Sequence, residues 1–254
     1  SWNVLILGYT QHGYNEFALS YFERMKAQSF PSDEFTITCI LKACGGIGAL
    51  RKGEEIHALI VKDSILGRDH LIGNALIDMY MKCGCIEIGC QVFDDLPSRN
   101  VLTWNSIIAG HAQHGYETVA FEFLEKMEDE GITPDNTTFS CIARACGIKK
   151  ILVQGRLIHN KIVLYGNHTD PFVGSAVINM YAQCGSLEDA HKVFDELPVR
   201  NVITWNALIA GHVERGCCED VLCYVKEMQQ KEAKIRTANF QNRTRSESHI
   251  LLHR

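Results

Sequence analysis

The sequence predicts an all-α fold, an α-solenoid of stacked antiparallel two-helix repeats forming a superhelix, and three observations carry that expectation. First, its three tryptophans, Trp2, Trp104 and Trp205, lie 102 and 101 residues apart, and each is followed by an asparagine, Asn3, Asn105 and Asn206. Second, the text between them repeats in order: TITCILKACGG is matched by TFSCIARACGI, IGNALIDMYMKCG by VGSAVINMYAQCG, and VFDDLPSRN by VFDELPVRN. Third, apolar residues recur at helical spacing inside each block. A single helix pair cannot bury its own apolar stripe, so such units stack on their neighbours.

The long period divides into units of unequal length. Residues 1–33 hold the first and 34–69 the second; 70–100, 101–135, 136–170 and 171–201 follow. A degenerating unit spans 202–236, and residues 237–254 form a tail that loses the period and turns basic and polar, as a disordered or truncated end does. In the central unit Ala120, Phe123, Leu124 and Met127 recur at i, i+3, i+4 and i+7, which is the spacing of one helical face. Trp104, Ile107 and Ile108 make a comparable face on the helix before it, and Gly115 breaks the chain between the two. Gly131 and Pro134 stop the second helix.

Composition sets limits on function. The 254 residues are 46% hydrophobic and 22% charged, with five prolines and no linker-like tract, as expected for one continuous architecture. No apolar run reaches the length needed to span a bilayer, so no membrane partner is expected. The start, SWNVLILGYT, shows no targeting peptide, lacks an initiating Met and opens inside a motif, which reads as a fragment. A net charge of −5 argues against holding nucleic acid by bulk phosphate neutralisation; any such affinity must lean on base contacts. Eleven cysteines without a secretory signal fit a reducing compartment.

The blocks TWNSIIAGHAQHGYETVAFEFLEKMEDEGITPD and VGSAVINMYAQCGSLEDAHKVFDELPVRN closely resemble the pentatricopeptide repeat family. The alternation of unit lengths resembles the P, L and S triplets of its plant PLS subfamily. The resemblance implies single-stranded RNA as partner, one base per repeat. It also implies a mitochondrial or chloroplast setting and selection of sites for C-to-U editing or other processing, with a deaminase supplied by another chain. The base would be read by the fifth and last residues of each unit. Those pairs are Asn3 with Asp33, Asn74 with Asn100, Asn105 with Asp135, and Ser175 with Asn201, and Asn206 stands in the same place without a recognisable partner. By the same resemblance Asn–Asp prefers uracil, Asn–Asn a pyrimidine and Ser–Asn adenine. The L units place Thr38 with Asp69 and Ser140 with Asp170, and their bases are left open. Second-position residues, Leu71, Leu102 and Phe172, would pack against base faces.

Competing readings exist for the same residues. Asn, Asp and Ser favour helix starts, and Asp33, Asn100, Asp135 and Asn201 each precede one, so capping alone could explain them. A helical scaffold for protein partners is the alternative function, although a groove that captured peptide carboxylates should repeat Lys or Arg at the unit ends. No catalytic residue, cofactor or metal site is expected. His212-Val213-Glu214 has the His-x-Glu form of a zinc deaminase, but Cys217 and Cys218 are adjacent and no Cys-x-x-Cys follows. Cys44 matches Cys146, Cys83 matches Cys184, and His57 matches His159, so all read as scaffold residues.

Overall fold

The computed structural model describes residues 2–63, 70–216 and 220–231. Asp69, Cys217, Cys218, Arg236 and the tail 237–254 lie outside the described residues. The helices run in order as α1 (Trp2–Gln11), α2 (Asn15–Ala27), α3 (Glu34–Ile47), α4 (Leu50–Lys62), α5 (His70–Lys82), α6 (Ile86–Asp95), α7 (Val101–Gln113), α8 (Glu117–Asp129), α9 (Asn136–Lys149), α10 (Leu152–Leu164), α11 (Pro171–Gln183), α12 (Leu187–Glu196) and α13 (Val202–Glu214). A short 3₁₀ turn, Asn167–Thr169, precedes α11, and residues 220–231 are helical. No strand occurs among the described residues, and the chain is an all-α solenoid of stacked helix pairs.

The chain forms two compact units, Ser1–Ala145 and Cys146–Arg254. In the first, α1, α3, α5 and α7 pack side by side, each also against its own second helix, and α3, α5 and α7 against the second helix of the preceding pair as well. In the second, α11 is the central element, touching α10, α12 and α13.

First and second helices of a pair start and bury differently. The first helices begin at side-chain caps: Asp33 before α3, Asn100 before α7, Asp170 before α11 and Asn201 before α13. Each cap oxygen accepts an orphan N–H of the first turn, a contact worth about 1 kcal/mol. Where described, the second helices have no such side-chain bond and follow directly on a tight turn. At Gly115 the backbone has φ +76 and Tyr116 N–H reaches back to His111 O at 2.9 Å, which closes α7 and reverses the chain. That left-handed conformation is cheap for glycine and strained for most other residues.

Burial follows from this layering. The second helix α8 is amphipathic and buries Ala120, Leu124 and Met127, while Phe123 is half-buried. The first helix α7 is buried on several sides, through Trp104, Asn105, Ile107, Ile108, Gly110 and His111 among others. A first helix is therefore wedged between neighbours, and polar groups on it are partly withdrawn from water. The VFDxLPxRN block joins one unit to the next. Arg99 donates to Phe93 O at 3.1 Å and Asp94 O at 3.2 Å at the end of α6, and its guanidinium lies over the Phe93 ring. Phe93 in turn meets Trp104 edge-on at 4.9 Å. Leu96 fills the space beside Gly73, where an added Cβ would come within 2.6 Å of it.

Candidate nucleic-acid interface

The candidate reading positions fall at two places in each pair: the first turns of the first helix, and the residue that caps the next first helix. Capping fixes the second place. Asp33 Oδ1 accepts Thr36 N–H at 2.8 Å and Asp135 Oδ1 accepts Thr138 N–H at 2.9 Å, so each carboxylate is anchored from below. The expected partner then reaches across from the preceding unit. Asn3 Nδ2 donates to Asp33 Oδ2 at 2.6 Å, and Asn105 Nδ2 donates to Asp135 Oδ1 at 3.0 Å. Residues 30 apart in sequence are thus joined in one hydrogen-bonded pair, twice. A carboxylate only accepts, so the asparagine must turn its nitrogen toward it.

The remaining expected pairs are not joined. Asn74 is buried, and neither its Nδ2 nor its Oδ1 has a partner. Asn100 is occupied as a cap: its Oδ1 accepts from Thr103 N at 3.0 Å and from Thr103 Oγ at 3.0 Å. A buried amide left empty is costly, unless a ligand completes it. Ser175 donates to Phe172 O of its own helix at 2.8 Å, while Asn201 caps α13 through Thr204 N at 3.0 Å. Asn206 is exposed, and Asn105 in the same register is 6% exposed. Of the L-unit residues, Thr38 bonds back to Glu34 O at 2.9 Å, Ser140 is buried with its Oγ unpartnered, and Asp170 caps α11.

Apolar side chains accompany the reading positions. Leu71, Leu102 and Phe172 are 51%, 56% and 50% exposed, unusual for large apolar groups at the start of otherwise buried helices. Phe35 and Ile203, at the same second position, are exposed as well. Within the first unit, Phe35 and Thr38 line an open cleft of about 640 Å³ together with Lys42 and Lys82, the latter paired with Asp78 at 2.7 Å. The cleft therefore offers a flat ring and cationic groups close together.

One participant escaped the sequence reading. Thr138 Oγ–H donates to Asn105 Oδ1 and lies 3.1 Å from Asp135 Oδ1, so the hydroxyl bridges the pair. Its position, third in the following unit, is occupied by threonine at Thr36, Thr103 and Thr204 too, and all four are fully buried. That recurrence was the available sign.

Comparison with known proteins places this geometry. The model of the PPR repeat matches residues 1–30, 74–101, 175–202 and 203–232, and that of the PPR repeat family matches 99–147. This chain belongs to the pentatricopeptide repeat family. Among curated relatives, the chloroplastic pentatricopeptide repeat-containing protein At4g18520 of Arabidopsis thaliana is 38% identical over 231 residues, covering 90% of this chain and 37% of the relative. The mitochondrial protein At3g09040 of the same plant is 36% identical over 223 residues, 88% of this chain and 22% of the relative. The chain thus spans well under half the length of these relatives. Among solved structures, that of maize PPR10 aligns with a TM-score of 0.64 at 17% identity, over 91% of this chain and 33% of that one. PPR10 in complex with an 18-nt psaJ RNA element aligns with a TM-score of 0.66 at 15% identity, over 91% of this chain and 35% of that one.

The other titratable groups of this pentatricopeptide repeat chain belong to its packing. His57 Nδ1 lies 2.9 Å from Tyr80 Oη, and His159 Nδ1 lies 2.9 Å from Tyr181 Oη. Burial pushes both histidines down and both phenols up to about 12, so each contact joins two neutral groups. Cys44 is buried and its thiol is pushed up to about 11 by desolvation, which suits a packing residue rather than a nucleophile. His212 is buried with its Nε2 2.8 Å from His191 Nε2. Among the described residues no group of three or more His, Cys, Asp or Glu is arranged to hold a metal ion. Nor is any described helix long and apolar enough to cross a membrane.

Proposed function

We propose that this chain binds single-stranded RNA sequence-specifically, one base per repeat, with the strand's 5′ end toward the amino terminus. The observation that carries the reading is the pair of Asn–Asp contacts, Asn3 with Asp33 and Asn105 with Asp135, which recur at the same register and present one donor and one acceptor side by side. Uracil offers the complement, an acceptor oxygen beside an N–H. Leu71, Leu102 and Phe172 supply exposed apolar surface at the second positions, suited to base faces. RNA bound to PPR10, whose fold this chain shares, adds support.

On units ending at residues 33, 69, 100, 135, 170 and 201, in the PLS arrangement, the preferred strand is U-x-Y-U-x-A. The bases marked x stand opposite the L units, and the residual P unit at Asn206 adds no base. Relatives named chloroplastic and mitochondrial favour an organellar transcript as target. The role that fits is selection of a site for editing or processing, with the chemistry supplied by another protein.

Selection of bound RNAs from a random pool tests the reading. Enrichment of U at the first and fourth positions and of a pyrimidine at the third is the expected result. An unenriched pool, together with peptides recovered by the same chain, would replace the reading with a protein-binding scaffold.

A further inference from the structure

We propose that Thr138 is a positioning residue which, with Asp135, holds the Asn105 amide in the single orientation that reads uracil, whereas the Asn74 amide is free to turn and reads either pyrimidine. The proposal rests on the base-reading assignment above and deepens it.

The hydrogen bonds around the three asparagines form a graded series within the first unit of the fold. Asn105 is held at both ends. Its Nδ2 donates to Asp135 Oδ1 at 3.0 Å, and its Oδ1 accepts the Thr138 hydroxyl proton. Turning this amide would set Oδ1 against a carboxylate oxygen and push the Thr138 hydroxyl from its short contact with Asn105 Oδ1 to the longer one with Asp135 Oδ1, so the observed orientation is the one that satisfies both neighbours best. Asn3 is held at one end. Its Nδ2 donates to Asp33 Oδ2, but Thr36 Oγ–H goes to Asp33 Oδ1 at 2.6 Å rather than to the amide. Asn74 is held at neither end, because Thr103 Oγ–H goes to Asn100 Oδ1 and Asn100 is consumed by the cap.

The chemistry of the two pyrimidines converts this series into selectivity. Uracil shows an acceptor, O4, beside a donor, N3–H; cytosine shows the reverse, N4–H beside the acceptor N3. The Asn105–Asp135 pair keeps one amide N–H and Asp135 Oδ2 without a bond to any described residue. That donor and acceptor match uracil and oppose cytosine. An amide that can turn offers nitrogen or oxygen as required, so Asn74 accepts both bases. An asparagine at this position therefore makes a strict reader or a tolerant one, according to whether a neighbouring threonine hydroxyl reaches its amide oxygen.

Competition binding with the full chain tests this, using six-base RNAs that differ only by U or C at the first, third or fourth position. In the unaltered chain the preference for U over C should be greatest at the fourth base, smaller at the first and near unity at the third. Thr138→Val should lower the fourth-base preference by about threefold to tenfold, the range carried by one neutral hydrogen bond. Thr138→Ser should restore it, and the first and third bases should not respond. A Val variant that keeps the fourth-base preference would overturn the positioning role while leaving the base-reading assignment intact. Loss of binding to every RNA alike would assign Thr138 to the helix cap alone. Absence of any U or C preference in the unaltered chain would sink the base-reading assignment itself.

Discussion

The region from α5 to α8 and the region from α11 to residue 231 repeat one pattern 101 residues apart, and they agree and differ in different places. The packing groups agree closely. Phe93 meets Trp104 edge-on at 4.9 Å and Phe194 meets Trp205 edge-on at 4.6 Å. Arg99 and Arg200 each donate to the carbonyls that end the preceding helix, the second at 3.0 Å and 2.8 Å. The candidate reading positions do not agree. Asn74 is an empty buried amide where Ser175 bonds its own helix, and Asn105 is paired and buried where Asn206 is exposed. Residues that repeat with their contacts hold the solenoid, and the positions whose surroundings differ between the two regions are those to which the proposed function gives the reading role.

The largest effect should come from the packing half of that comparison. Trp104 and Trp205 are 1% and 2% exposed, whereas Trp2, in the same register, is half-buried and meets Tyr21 and Phe30 at 6.3 Å. Trp104→Ala should cost about 3–5 kcal/mol, as large-to-small changes of buried aromatics do. Trp205→Ala should be comparable, and Trp2→Ala should cost well under half as much. Thermal melts followed by circular dichroism give the order; equal losses at all three sites would mean that the shared motif does not produce the burial seen.

A smaller and more selective effect should follow from the reading half. Asn105→Thr leaves Trp104, Ile107 and Ile108 in place, so the chain should still fold, with a loss of at most about 1–3 kcal/mol from the amide's hydrogen bonds to Asp135 and Thr138. The amide that complements uracil is lost, and by the family resemblance a Thr–Asp pair favours guanine. A good pair of base-edge contacts discriminates by about 1–3 kcal/mol in the comparable DNA case. Competition binding should show U disfavoured and G favoured at the fourth base alone, and an unaltered preference for U in a folded variant would make Asn105 a scaffold residue.

The comparison also shows what was legible in the sequence. Trp104, Ile107 and Ile108 announce a buried face by spacing alone, and Gly115 announces the turn, because both follow from local geometry. The proximity of Asn3 to Asp33 and of Asn105 to Asp135 came from the family resemblance, since nothing in a one-dimensional pattern says that a residue thirty places on returns to the same helix. What no reading of residue types could supply was the destination of a threonine proton. Thr36, Thr103 and Thr138 are identical in sequence terms, yet of these three only Thr138 bonds the fifth-position asparagine of the preceding unit, whereas Thr36 and Thr103 bond its last residue. Capping and reading can coexist in one residue, and Asp33 and Asp135 each accept both the first-turn N–H of the next helix and the amide of an asparagine thirty residues earlier.

A weaker effect, arising in both regions and in the helices just before them, concerns pH. Burial, the largest influence in each case, pushes His57, His111, His159 and His212 below their ordinary value of 6.5. The unfolded chain then binds more protons than the folded one between the depressed values and 6.5, so stability is full above that pH and is lost as pH falls through this window. Melting temperature should drop on acidification from about pH 7.5 to about pH 5.5, across the ordinary titration range of histidine. Replacing His57 and His159, in the helices just before the two regions, by Gln should make the drop shallower, and an unchanged slope would remove these two groups from the cause.

The smallest effect sharpens the contrast between Asn105 and Asn206. Both follow a tryptophan, and on residue type alone both qualify as base readers. Asn206 is exposed, makes no side-chain hydrogen bond among the described residues, and has Arg236 rather than an aspartate thirty residues on. Unlike the buried Asn74, this amide is solvated and its unit ends in no Asn or Asp, so nothing sets it against a base, and its loss exposes no unsatisfied group. Asn206→Ala should therefore change neither the melting temperature nor the RNA sequences recovered from a random pool. The informative variant is the double change Asn206→Ala with Asn105→Ala, which should behave like Asn105→Ala alone. If the pair instead loses more selectivity than Asn105→Ala, the last unit reads a base after all, and an exposed amide without an Asn or Asp at the end of its unit suffices as a reader.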